Sequence, residues 1–194
     1  MEIPRWTLGR MQNPVRGFLH GGAAIAAVIG TAFLVWQAPN WGLRVGVVVF
    51  GIAMVALYTT SSLYHGIPWG LDWKKRMQRL DHSMILVLIA GTYTPVAIVA
   101  LDGWLQWVVL GIAWGAVAIG AIQHTFFPQQ EQHFSMALGA GMGWLGLIIG
   151  WKFVAELGWT AAILGLIGGA VYTVGMVLLI TNRPKLWPRV FSYH

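Results

Sequence analysis

Six long apolar stretches, each free of Asp, Glu, Lys and Arg at its middle, constrain this chain more than any other feature. They run from Phe18 to Trp36, Leu43 to Tyr64, Ser83 to Leu101, Gly103 to Ile122, Ser135 to Trp151 and Leu157 to Ile180. A hydrocarbon core about 30 Å thick takes about 20 residues of helix to cross, and each stretch comes near that length, the fifth being the shortest. Lipid offers no partner for backbone amides, so such segments fold as helices or as a closed barrel. The Gly, Ala and Leu richness lacks the alternation of a barrel strand. The expected fold is therefore all-α, a polytopic bundle with six membrane spans. The composition agrees, with 57% apolar residues, 9% charged residues and a mean hydropathy of +0.67. A secretory signal is the competing reading of the first stretch, because Arg5, Arg10 and Arg16 precede it; the run is too long and no small-residue cleavage site follows.

Lys and Arg distribute unevenly between the two sides of these spans. Arg5, Arg10, Arg16, Lys74, Lys75, Arg76, Arg79, Arg183, Lys185 and Arg189 fall on the side of the amino terminus, and Arg44 and Lys152 on the other. The positive-inside rule then sets the N-terminus in the cytoplasm. The sequence pI near 10.1 reports this topology and contact with anionic lipid headgroups, not a nucleic-acid surface. The chain reads as one domain over residues 1–194: an N-terminal segment (1–17), a six-helix bundle (18–180) and a cytoplasmic tail (181–194). Many of the twelve Trp residues sit near span ends, as interfacial anchors do. Gly111 with Gly115, Gly146 with Gly150 and Gly165 with Gly169 have the four-residue spacing that lets helices approach closely.

Cysteine is absent, which excludes disulfides and thiolate ligands. Any transition metal must use imidazole, carboxylate or water. With the amino terminus inside, His20, His65, His82, His124, His133 and His194 all map to the cytoplasmic edge. Ser61 and His65 share one helix face at that edge, since residues four apart are neighbours on a helix. Asp81 stands at the entrance to the third span, where it can accept a proton from water or bind an imidazole N–H; an ion pair with Arg76 or Arg79 is its ordinary alternative. The clustering is the pattern of a metal site at a membrane face, which needs neutral imidazoles and groups that orient them. Simple interfacial preference of histidine is the plainer alternative. A transporter of inverted halves would need paired broken helices and ionisable groups at depth; only Pro95 interrupts a span, where Thr92, Thr94 or a neighbouring helix can compensate the lost hydrogen bond.

Three segments carry a resemblance when taken together: Ser61-Ser62-Leu63-Tyr64-His65-Gly66, Leu80-Asp81-His82-Ser83 and Ile89-Ala90-Gly91-Thr92-Tyr93-Thr94-Pro95. In order and spacing they resemble the hemolysin III branch of the progestin and adiponectin receptor family, and Asn13-Pro14 with His20-Gly21 is similar to its opening segment. The resemblance implies a seven-helix protein, N-terminus inside, with zinc held by one histidine of the second helix and two of the seventh. The wider superfamily includes alkaline ceramidases. By position His65 matches the second-helix ligand, and Ser61 and Asp81 match the residues flanking the metal-bound water. Phe191-Ser192-Tyr193-His194 resembles the lead into the seventh helix, which places His194 as the first ligand of a His-x-x-x-His pair. The second histidine of that pair has no counterpart here, and the expectation is a truncated product. A natural six-span variant recruiting His82, His124, His133 or His20, or weak zinc binding, are the alternatives.

These readings converge on a zinc-dependent hydrolase of lipid amide or ester bonds, ceramide-like, with Asp81 and Ser61 as catalytic residues and His65 and His194 as metal ligands. Membrane lipids are the expected partners, nucleic acid is not, and the bacterial inner membrane is the expected location. A sensor or regulator with structural zinc, and a membrane-perturbing cytolysin, are the alternative functions.

Overall fold

The computed structural model describes residues 14–126, 131–148 and 150–181. Among them are six α-helices and no strand: α1 (Pro14–Gln37), α2 (Trp41–Gly66), α3 (Leu71–Ala100), α4 (Gly103–Phe126), α5 (Glu131–Ile148) and α6 (Gly150–Thr181). The all-α, polytopic architecture expected from the apolar stretches is the one observed. Five of the six helices are long and apolar enough to cross a membrane; α5, at 18 residues, is not among them.

Short, capped connections hold the first four helices together. Asn40 begins α2 by accepting the Leu43 N–H at 2.9 Å, which satisfies one of the amides a helix start leaves open. The Arg44 guanidinium donates to the Ala38 carbonyl at 3.2 Å and so closes the end of α1 on the start of α2. At the far end of α2 the Leu63 carbonyl accepts both the Ile67 N–H and the Trp69 indole N–H, the latter at 3.0 Å. Asp72 lies in the first turn of α3, where a carboxylate complements the helix dipole.

Two helices depart from the apolar stretches that announce them. α3 starts at Leu71, well ahead of Ser83, so its first three turns are a charged extension that leaves the span. α6 is broken at Gly158, whose φ of 79° is a left-handed value that suits glycine. Pro95 sits inside α3, and the neighbouring hydroxyls do not serve the carbonyl it orphans: Thr92 bonds Leu88 and Thr94 bonds Ala90, each one turn back.

Packing relies on small residues, because lipid tails give helices no hydrophobic reason to associate and close van der Waals contact must do so. α1 packs on α2, α2 on α3, and α3 also on α4 and α5. Leu86, Ala90, Ala113, Ala116 and Met142 form one core cluster, and Ala97, Leu101 and Val109 another. The Tyr93 hydroxyl donates to the Met142 carbonyl, tying α3 to α5. Phe18, Ile25, Ile29, Ile163, Ile167 and Val171 lie exposed on α1 and α6, as lipid-facing side chains do. Trp36, Trp41, Trp104, Trp151 and Trp159 are exposed together at the end of the bundle away from the Ser61–His65 turn.

Candidate functional site

The pairing of α1 and α2 begins at the backbone. A Cβ on Gly17 would stand 3.1 Å from the Gly66 Cα, and one on Gly21 3.2 Å from the Ser62 hydroxyl. The Ser62 hydroxyl donates to the Gly17 carbonyl at 2.8 Å. Deeper in the span, Gly51 faces Thr31 at closer range still. These approaches fix an antiparallel register in which His20 of α1 lies against the last two turns of α2.

His20 Nδ1 is 2.8 Å from the Ser61 hydroxyl. Its ring centre stands 6.0 Å from that of His65, edge to face, and 5.9 Å from that of Tyr58. The Tyr64 ring covers His65 from 4.6 Å. Ser61 and His65 are both buried, each 5% exposed, as the i, i+4 spacing on an inward face requires.

Asp81 reaches the same level from α3. A Cβ on Gly91 would touch Ala53, and one on Gly46 would touch Pro95, which sets α3 antiparallel to α2. Three turns from the Gly91–Ala53 contact, the same register brings Asp81 to the level of the last two turns of α2. Asp81 is 6% exposed. Arg76 lies over the Trp73 ring at 5.2 Å.

The structure thus brings Ser61, His65 and Asp81 to one end of the bundle. Helical positions 82, 124 and 133 lie at that end too, because α4 packs antiparallel to α3 through Gly120 and Leu86, and α5 runs parallel to α3 past Ile89 and Tyr93. His194 lies outside the described residues. Among the described residues no three His, Asp or Glu side chains are gathered to hold a metal ion.

The contacts or burial of four residues at this end of the bundle escape a reading of the sequence. The contact of His20 with Ser61 depends on the α1–α2 register, for which the only signal is the spacing of Gly17 and Gly21. Tyr58 and Tyr64 read as ordinary apolar positions of a span. Gln123, buried on α4 one turn beyond the Gly120–Leu86 contact, is a polar residue near the span end that a search for charged groups passes over.

The model of the family described as haemolysin-III related matches residues 9–194 of this chain, nearly its whole length. The chain belongs to that family. A hemolysin-3 homolog of Bacillus subtilis (strain 168) is 32% identical over 178 residues, which cover 90% of this chain and 80% of that protein. The hemolysin-3 of Bacillus cereus is 34% identical over 185 residues, covering 94% of this chain and 84% of that protein. No solved structure matches. Family and fold together make this an integral, multi-pass membrane protein of hemolysin III type.

Proposed function

We propose that the chain is a zinc-dependent hydrolase of lipid amide bonds, working at the cytoplasmic face of a bacterial plasma membrane. The observation that supports it is the burial of a hydroxyl, an imidazole and a carboxylate, from Ser61, His65 and Asp81, at one end of a largely apolar bundle. Buried polar groups are costly, and intramembrane ionisable groups commonly serve function.

The described part of the site offers imidazole, a donor that zinc takes. His65 is a buried imidazole with a second imidazole, His20, at its edge. His65 and His194 would hold the ion. Zinc bound there supplies Lewis acidity, lowering the pKa of water at the site and polarising a carbonyl. Asp81 accepts the proton of the attacking water and returns it to the leaving amine. The Ser61 hydroxyl steadies the charge that develops on the carbonyl oxygen. A site at the headgroup level suits a substrate whose tails remain among the helices while its polar linkage meets Asp81.

The test is hydrolysis of a panel of long-chain lipid amides by the detergent-purified chain. Turnover that disappears with chelator and in His65→Ala is the expected result; a zinc-loaded preparation inert toward the whole panel contradicts it. The name of the Bacillus cereus relative raises a second reading, a membrane-perturbing protein. Dye release from vesicles separates the two, because a hydrolase acting on a minor lipid produces no leakage beyond that of a control membrane protein. A structural zinc in a sensor of membrane state predicts instead that His65→Ala lowers the melting temperature with no turnover to lose.

A further inference from the structure

We infer that the charged start of α3, residues 71–80, binds the headgroup of an anionic phospholipid, with Lys75 and Arg76 on the phosphate, Trp73 holding Arg76 and Leu80 against the acyl chains. The site needs neither zinc nor hydrolysis. Its four residues are exposed on the bundle surface, unlike the buried Ser61, His65 and Asp81.

Depth is the first argument. α3 begins at Leu71, whereas its apolar stretch begins at Ser83. At a rise of 1.5 Å per residue, Arg79 stands at most roughly 6 Å beyond that stretch and Lys75 at most roughly 12 Å. Headgroups add about 5–8 Å to each face of the hydrocarbon, so both cations lie in that layer or within a Debye length of it.

Charge is the second. Lys74, Lys75, Arg76 and Arg79 stand against a single acid in this segment, Asp72. Arg79 is three residues from Arg76 and four from Lys75, so these three are neighbours on one helix face. Like charges at that spacing weaken a helix, and an anion seated among them reverses the sign of the interaction.

The surroundings of Arg76 are built rather than loose. The Trp69 indole N–H donates to the Leu63 carbonyl at 3.0 Å, which ties that ring to the end of α2. Trp73 lies beside it, ring centres 6.3 Å apart, and the Arg76 guanidinium stands 5.2 Å over the Trp73 ring. A cation–π contact uses the charge of the guanidinium and not its N–H donors, which a phosphate can take in bidentate fashion. Leu80 favours a lipid over a soluble anion. It lies one turn nearer the hydrocarbon than Arg76, on the same face, and is 44% exposed. Cation above and apolar side chain below is the order in which a phospholipid presents its phosphate and its acyl chains.

The experiment reconstitutes the full-length chain in phosphatidylcholine vesicles carrying a trace of spin-labelled phosphatidylglycerol or spin-labelled phosphatidylcholine. Electron spin resonance reads the motionally restricted share of each label. The native chain should prefer the phosphatidylglycerol label by about fivefold, the size of the attraction of one basic residue near a charged surface. Lys75→Gln combined with Arg76→Gln should remove most of that preference. Arg183→Gln combined with Lys185→Gln, an equal loss of charge on the side where the sequence places this segment, should keep it. Trp73→Ala, which leaves every charge in place, should weaken it. Equal losses in the two double variants would make the preference a matter of net charge and overturn the site. Displacement of the label by inorganic phosphate at constant ionic strength would overturn it too, as the mark of a site for a soluble anion. If the Lys75 and Arg76 double variant does not fold, photo-crosslinking of the native chain decides. Labelling of residues 71–80 by photoactivatable phosphatidylglycerol above that by its phosphatidylcholine analogue supports the site, and equal labelling rejects it.

Discussion

His65 and Ser61 are separated by one helical turn, and that turn is where a substitution tells most. His65→Ala is expected to abolish lipid-amide turnover and to reduce zinc affinity by well over the 10–100-fold typical of a lost supporting group, measured by chelator competition. Ser61 and Ser62 make an informative contrast. Ser61 pairs with His20 and Ser62 with the Gly17 carbonyl, so both variants to Ala remove one α1–α2 hydrogen bond. Each should cost about 0.6 kcal/mol of stability, the average for hydrogen bonds between membrane helices, whereas only Ser61→Ala should slow hydrolysis. The Ser61–His65 face was legible in the sequence because residues four apart are neighbours whatever surrounds the helix. Asp81 was legible as a carboxylate at the entrance to the third span. The level it reaches along α2 depends on the register between α2 and α3, which Gly91 and Ala53 set and which no local pattern announces.

At the scale of helices, the α1–α2 seam is the element on which the site depends. A methyl added at Gly51 would overlap Thr31, while one added at Gly115 of α4 meets nothing within 4 Å. Gly51→Ala should therefore destabilise the bundle by about 1–3 kcal/mol, the usual cost of overpacking, and Gly115→Ala should leave it unchanged, both read by unfolding in mixed detergent micelles. The four-residue spacing of Gly111 and Gly115 pointed to close helix approach, yet both meet nothing within 4 Å, and Gly51, which lacks that spacing, is the packed one. The start of α3 was hidden for a different reason. Its first turns carry Lys74, Lys75, Arg76 and Arg79, which read as a cytoplasmic loop because hydropathy sees only the part within lipid. Arg76 lies over exposed Trp73, a cation–π contact within the charged extension of a kind that suits a membrane interface.

For the molecule as a whole, the apolar spans made the architecture readable, since every backbone amide in lipid needs a helical partner. The count of spans was less so: α5 is short, and burial of its Met142 in the core of the bundle lets it persist without the length of a lipid-crossing helix. The lack of cysteine makes orientation directly testable, because single cysteines can be introduced with no native thiol to remove. Cysteines at 70 and 72 should react with an impermeant maleimide only in inside-out vesicles, and those at 39 and 102 only in right-side-out vesicles. The hydrolase account stands or falls on one ion held through His65 at the cytoplasmic end of α2. Zinc per chain, measured by elemental analysis of detergent-purified protein, addresses that most directly. The account predicts one zinc per native chain and none in His65→Ala; equal zinc in the two proteins, or none in the native one, would contradict it.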